Sequence, residues 1–266
     1  MEATFEKQSF LTKLKSMLKV DFKRMFTMPL VYIMVGVSFV LPVLILVMTS
    51  FMPATTVDPT TGVETAVETF TNVWQAIGSV SGDGSAVSMS LTGMCNINLL
   101  YFLIAVFVCV FVADDFRSGY AKNLFTVRAK KIDYCVSKTA AGFVGGAIMI
   151  VAYFIAAMLG GAIAGLPFGT AGFGAGGVVA CMFSKVFLVA VFVAIALLLS
   201  VVAKQRLWLS VLGSIAAGAL LFTMLPMISP LNSTVINAVM CLAGGAVFAA
   251  GLGAVSNLIL NKTSLV

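Results

Sequence analysis

Six stretches of the chain run almost without charge: about 29–52, 94–113, 136–160, 178–203, 207–228 and 235–260. Each is long enough for the roughly 17–25 apolar residues that a helix needs to cross the ~30 Å hydrocarbon layer of a bilayer. The runs are continuous, whereas a membrane barrel would alternate apolar and polar positions over short segments. A helix satisfies its own backbone hydrogen bonds in lipid. The pattern therefore predicts an all-α integral membrane protein with six transmembrane helices over residues 29–266. Pro29 to Phe51 is too long for a signal-peptide core, and no small-x-small cleavage site follows it, so it is expected to stay as the first helix.

Between these runs the periodicity changes. In residues 1–28, Phe10, Leu11, Leu14, Met17, Leu18, Phe22 and Met25 recur at helical spacing, with Lys13, Lys19, Lys23 and Arg24 on the other side. This predicts a basic amphipathic helix lying in the membrane interface, attracted to anionic lipid. The segment 53–92 contains a second stripe, Val63, Val67, Phe70, Trp74 and Ile77, with Glu64 and Glu68 elsewhere on the helix, followed by the turn "SGDGS" at 81–85. It predicts a short acidic helix on the membrane surface with Trp74 in the headgroup belt; a cap over an exit route is the alternative reading. Pro42, midway along the first span, frees the carbonyl of Ser38 and predicts a kink. Gly142/Gly146, Gly161/Gly165 and Gly172/Gly176 have the GxxxG spacing that lets helices approach closely in lipid, and Gly244, Gly245, Gly251 and Gly253 read the same way. "PLNST" at 230–234 predicts a tight turn between the last two spans, and no internal repeat supports an inverted-repeat carrier.

Composition agrees with the pattern: of 266 residues, 61% are hydrophobic and 10% charged, against about half and a quarter in soluble domains. Charge then gives an orientation. Bases crowd the leader (Lys7, Lys13, Lys15, Lys19, Lys23, Arg24), the segment after the second span (Arg117, Lys122, Arg128, Lys130, Lys131, Lys138), the fourth connection (Lys204, Arg206) and Lys262, while 53–92, 166–177 and 229–234 have none. By the positive-inside rule both termini are expected in the cytoplasm and the base-free connections outside. The net charge of +6 is accounted for by topology, without a nucleic-acid partner. Lys185 alone breaks the map. Two readings stand for it: a snorkelling anchor at the outer interface, which is favoured, or a pathway-lining charge that meets an anionic group. Five scattered cysteines (Cys95, Cys109, Cys135, Cys181, Cys241) form neither a disulfide framework nor a metal site, and histidine is missing, with it the commonest general base and metal ligand.

Residues 111–131, "FVADDFRSGYAKNLFTVRAKK", end a buried helix in two carboxylates. Asp114 and Asp115 lie at the C-terminal end of the second span, where the helix dipole disfavours them. Arg117, Arg128, Lys130 and Lys131 are the expected partners by proximity in sequence, and Gly119 is the expected left-handed stop. Tyr120, Leu124, Phe125 and Val127 with Lys122 and Arg128 then predict a short amphipathic helix, with the third span starting around Val136.

The stretch "DDFRSGYAKNLFTVRAKKIDYCVSK" resembles the acidic-x-x-x-Gly segment, followed by bases and Ser-Lys, that joins the second and third helices of ABC-2 type permeases, the membrane subunits of one class of ATP-binding cassette exporter. In that family the acid is usually glutamate and the residue after glycine usually threonine; here they are Asp115 and Tyr120, which keep the charge, shorten its reach and remove the threonine hydroxyl. The leader, six helices, inward termini and length extend the resemblance over essentially the whole chain. It implies that segment 114–135 carries a coupling helix at 119–131, docking on a separate ATPase subunit through Asp115, Arg117, Gly119, Tyr120, Lys122, Leu124, Phe125, Arg128 and Lys131. It also implies a second permease subunit, a homodimer being favoured over a heterodimer, in a prokaryotic plasma membrane.

The chain lacks the G-x-x-x-x-G-K-[ST] loop that cradles nucleotide phosphates. ATP and Mg²⁺ are therefore expected on the partner and no cofactor on this chain. Catalytic groups do not converge within the spans, so an enzyme is disfavoured; the rival to the exporter is an ion channel or secondary carrier without an ATPase. A pathway lined by Phe, Met, Leu, Gly and Ala suits a hydrophobic or amphipathic cargo, such as a peptide, a lantibiotic-like antimicrobial or a drug. Pro42, Trp74 and Lys185 are the candidate pathway or outer-interface residues.

Overall fold

The computed structural model describes residues 10–51, 55–57, 64–66, 70–79, 95–126, 130–170, 173–204 and 206–262. Nearly all of these are helical. α1 (Phe10–Thr27) is followed by α2 (Pro29–Phe51), α3 (Leu100–Arg117), α4 (Tyr120–Thr126), α5 (Lys131–Ile163), α6 (Ala175–Ala203), α7 (Leu207–Phe222), α8 (Leu225–Ile228) and α9 (Val235–Lys262). Among the described residues, five helical stretches are long and apolar enough to cross a bilayer: 29–51, 97–117, 131–163, 175–203 and 235–262. The chain is an all-α, multi-pass membrane protein. Its outward apolar side chains, Ile33, Val239, Met240 and Val247 among them, form the kind of surface that lipid covers.

The 207–228 run is not one helix. α7 has 16 residues, about 24 Å at 1.5 Å per residue, and stops at Phe222. Pro226 has no N–H to bond the Phe222 carbonyl, and its ring crowds that same group; the chain restarts as the four-residue α8 with proline in its first turn. Pro42, by contrast, lies inside an unbroken α2. It is buried in the seam with α5, where a Cβ on Gly160 would stand 2.9 Å from Val43 Cα and 3.5 Å from the Pro42 carbonyl oxygen.

α5 is the central helix, touching α1, α2, α3, α6 and α9. Its approach to α3 and α6 needs glycine. A Cβ on Gly142 would lie 2.9 Å from Val193 Cγ1, and one on Gly146 would lie 2.5 Å from Val189 Cγ1 and 3.0 Å from Ile104 Cγ2. Gly161 is pressed against Val73, and Gly245 of α9 against the Phe187 carbonyl of α6. Gly165, Gly176, Gly244, Gly251 and Gly253 face open space, so helix approach does not use them; Gly172 lies outside the described residues.

The α5 N-terminus is at Lys131, five residues before the expected start, with Asp133 in the first turn where the helix dipole favours it. The expected acidic helix over 63–77 is replaced by a three-residue antiparallel ribbon, Thr55–Val57 with Glu64–Ala66, and a single 3-10 turn at Val73–Ala76. The Asn72 side chain accepts from Trp74 N at 3.0 Å and Gln75 Oε1 accepts from Asn72 N at 3.3 Å, a reciprocal cap that starts the turn at Val73. Val63, Val67, Glu68 and the 81–85 turn lie outside the described residues.

Segment 70–79 folds inward over one end of the bundle. Trp74 is 9% exposed, a correction to the headgroup-belt reading: its ring packs beside Phe154 and edge-on to Phe168, and its Nε1 donates to the Phe168 carbonyl at 3.1 Å. Val73 N donates to Pro167 O, Asn72 Nδ2 to Gly169 O, and Leu231 N to Ser79 O. The three base-free connections thus meet at one end. α1, α4, the start of α5 and the end of α9 share the opposite, base-rich end.

Candidate functional site

At the base-rich end, α1 lies against α5, with Met17, Asp21 and Met25, one helical turn apart, buried. An aspartate in the middle of an apolar stripe needs a partner, and α5 supplies two. Ser137 Oγ donates to Asp21 Oδ2 at 2.5 Å, and Lys138 Nζ lies 2.9 Å from Asp21 Oδ1. The same ammonium is 2.7 Å from Asp115 Oδ2, both contacts being at ion-pair distance without hydrogen-bond alignment. Asp115 also accepts from Tyr134 OH at 2.9 Å and from Arg24 Nη1 at 2.5 Å. Asp21, Asp115 and Lys138 are enclosed, with no more than 1% exposure. The Lys138 ammonium further sits 3.8 Å from the centre of the Phe111 ring.

This corrects the expected pairing. The ion pairs seen on the carboxylates at the end of α3 come from Arg24 of α1 and Lys138 of α5, both more distant in sequence than the expected partners. Asp114 meets Arg24 Nη2 at 3.2 Å, but its side chain is 47% exposed, so water screens that contact and Asp115 is the anchoring group. Two carboxylates, Asp21 and Asp115, balance two bases, Arg24 and Lys138, and the set ties α1, α3 and α5 in one register. Partial burial works against the Arg24 charge, but the facing Asp115 carboxylate and its hydrogen bond more than offset it, so Arg24 titrates above its ordinary range.

The elbow follows directly. Ser118 N and Oγ both donate to the Asp114 carbonyl, closing α3. Gly119 has φ +73°, the expected left-handed stop, and Asn123 N donates back to its carbonyl to start α4. Alanine at 119 meets no atom but must adopt the left-handed region, at about 1–2 kcal/mol. Gly119→Ala is therefore expected to lower detergent-phase thermal stability and Gly119→Asn to lower it less; equal losses would point to something other than φ.

α4 has two different faces. The Tyr120 ring lies under the Arg24 guanidinium, 4.0 Å from ring centre to Cζ. Burial pushes the Tyr120 phenol up, the Asp21 carboxylate adds to this, and Arg24 opposes it. Ala121 is buried, Leu124 and Phe125 pack on the bundle, and the Phe125 ring is 5.4 Å from that of Tyr134. Lys122, Asn123 and Thr126 are exposed, as are Arg117 and Ser118. Lys131 bridges α4 and α9: its Nζ lies 6.0 Å from the centre of the Phe125 ring and donates to the Leu260 carbonyl at 2.5 Å, capping the C-terminal end of α9. Arg128 lies outside the described residues. Asp115, Gly119, Tyr120, Leu124 and Phe125 thus form the inner side of one elbow, while Pro42, Trp74 and Lys185 lie apart from it.

Lys185 does not snorkel. It has 0% exposure, and its ammonium donates to Asn98 Oδ1 at 2.9 Å and Ser229 Oγ at 3.1 Å. Sequence reading missed Asp21, Arg24 as a partner, Tyr134, Ser137, Asn98 and Ser229. Asp21 carried a signal, an acid at a stripe position between Met17 and Met25; Lys138 carried another, a base inside the 136–160 run. Among the described residues, no three His, Cys, Asp or Glu side chains are grouped to hold a metal ion. No protein-family model, curated protein or solved structure matches this chain. Fold and site together define a multi-pass helical membrane protein with a charge-locked elbow at its base-rich end.

Proposed function

We propose that the chain is the permease subunit of an ATP-binding cassette exporter, and that its elbow is where a separate ATPase subunit docks. The observation that carries this reading is the build of the elbow. α4 is fixed on its inner face to α1, α3 and α5 through Asp115, Arg24, Lys138 and Tyr120, while Lys122, Asn123 and Thr126 stay exposed for a partner. A short helix gripped this way transmits a push to three helices at once, whereas a solvated loop would absorb it. The docking face is then Arg117, Lys122, Asn123 and Thr126, and Leu124 and Phe125 serve as its inner anchors.

In this reading α7 and α8 together make the fifth of six spans, both termini are cytoplasmic, and the end where the three base-free connections meet is outside. The subunit works as a dimer, favoured as a homodimer, in a prokaryotic plasma membrane. ATP and Mg²⁺ belong to the partner, and this chain is a transport subunit without catalysis of its own. Cargo is hydrophobic or amphipathic: a peptide, an antimicrobial or a drug. One observation favours the rival, a channel or carrier without an ATPase: the fully buried Lys185 is the kind of intramembrane charge such proteins use.

Co-expression of the tagged full chain with candidate cassette ATPases separates the two. One ATPase is expected to copurify with the native chain and to be lost when residues 120–126 are replaced by a Gly-Ser linker. If none associates, or association survives the replacement, the exporter reading fails.

A further inference from the structure

Lys138 and Lys185 are both enclosed lysines in the same bundle, and they are neutralised differently. Lys138 lies between two carboxylates. Among the described residues Lys185 has no carboxylate within ion-pair distance; its partners, the Asn98 amide oxygen and the Ser229 hydroxyl, are neutral. Neutral oxygens satisfy N–H donors but do not cancel the charge, and an ammonium taken out of water without a counter-ion costs several kcal/mol. A residue this expensive at membrane depth marks a ligand path more often than a structural convenience.

The surroundings explain how such a charge is kept and how it is reached. Tyr101 OH donates to the Lys185 carbonyl at 2.8 Å, and its ring stacks on Phe192 at 4.5 Å, which fixes the backbone beneath the ammonium. Among the described residues, the side facing the end of the bundle is covered by the 78–79 segment and the 229–231 turn, which α6 also holds through Cys181 Sγ, donating to the Ser229 carbonyl at 3.4 Å. Ser229, which accepts from Lys185 and donates to the Leu225 carbonyl at 3.0 Å, is the C-cap of α8. Leu231 N donates to Ser79 O at 2.8 Å, and a Cβ on Gly78 would be 3.7 Å from the Ser229 carbonyl oxygen. The Pro226 break leaves this turn on a four-residue helix, so it can lift without bending α7, at the cost of the Cys181 contact to α6.

We propose that Lys185 is a gated anion-binding residue: when the 78–79 and 229–231 cap lifts, its ammonium exchanges Ser229 for the carboxylate of an amphipathic molecule. The ligand as cargo rests on the permease reading; the site itself does not. In that reading the cargo carries a carboxylate beside its apolar body, as a peptide C-terminus does, and the cap is the outer gate. With the cap closed, Asn98 and Ser229 stand in for the missing anion.

The test uses the full chain in phosphatidylcholine nanodiscs, treated with trinitrobenzenesulfonate, an anionic amine reagent, and read by peptide mass spectrometry. Exposed Lys122 is the internal reference. Lys185 is expected to react at least about tenfold slower than Lys122 in the native chain, because reaction waits for local opening, and several-fold faster in Ser229→Ala and in Asn98→Ala. Decanoate is expected to protect Lys185 about fivefold or more, by occupying the ammonium, while decanol leaves the rate unchanged. The proposal is overturned if decanoate and decanol act alike, if Lys185 reacts as fast as Lys122, or if neither variant reacts. No ATPase is present, so protection without ATPase capture would keep the site and lose the exporter, and capture without protection would lose the site alone.

Discussion

Lys138→Met is expected to be the most damaging single substitution in the chain, lowering stability by about 3–5 kcal/mol, because it leaves one enclosed carboxylate uncompensated and weakens a second. Lys138 is the only base on Asp21 among the described contacts, whereas Asp115 keeps Arg24 and Tyr134. The loss therefore falls mainly on Asp21. Adding Asp21→Asn to Lys138→Met is expected to recover a large part of it, since an amide can still accept from Ser137 Oγ and carries no charge to strand. Such non-additivity between contacting residues runs to about 0.5–3 kcal/mol. Thermal unfolding of the purified variants in one detergent checks both steps; a double variant as unstable as the sum of its singles would mean that Asp21 and Lys138 do not act as a pair.

Gly146→Val is expected to be the next largest, at about 1–3 kcal/mol for overpacking. Its Cβ would stand 2.5 Å from Val189 Cγ1 on α6 and 3.0 Å from Ile104 Cγ2 on α3. Branched side chains have little freedom to turn away, so α5 must separate from two helices at once. Gly244 of α9, where a Cβ meets open space, is the control: Gly244→Val is expected to change unfolding in the same assay by a few tenths of a kcal/mol. Similar losses at both positions would remove the close-approach argument.

Five of the six expected apolar helices, the Gly119 stop and the short helix after it were legible because each is local. A continuous apolar run, a residue with a special φ and a 3.6-residue period all lie within one stretch of sequence. The partner of Asp115 was not legible, because Arg24 is 91 positions away and proximity along the chain pointed to Arg117, Arg128, Lys130 and Lys131 instead. Tertiary placement decided that match. The stripe from Val63 to Ile77 failed for a different reason. Apolar residues spaced three and four apart describe a helix only if the backbone between them is free to continue, and here Glu64 is in a strand while the Asn72–Gln75 cap starts a new turn. Trp74 consequently packs on Phe154 and Phe168 where a surface helix would have carried it into the headgroups. Pro226 was visible, but its effect on the fifth apolar run had to be read through the carbonyl of Phe222, four residues back.

In the proposed reading, the exposed face of α4 receives an ATPase and the charge lock behind it carries the push. This reading is tested most directly by ATP turnover of the copurified complex in nanodiscs, native against Lys122→Glu. Lys122 is exposed, so its replacement is expected to leave thermal unfolding of the bundle within about 0.5 kcal/mol of native. At a docking contact, charge reversal is expected to lower chain-dependent turnover about tenfold or more. Turnover that falls while unfolding is unchanged is the result expected here; turnover that stays at the native rate, with the ATPase still bound, would contradict the assignment of the elbow as the coupling site.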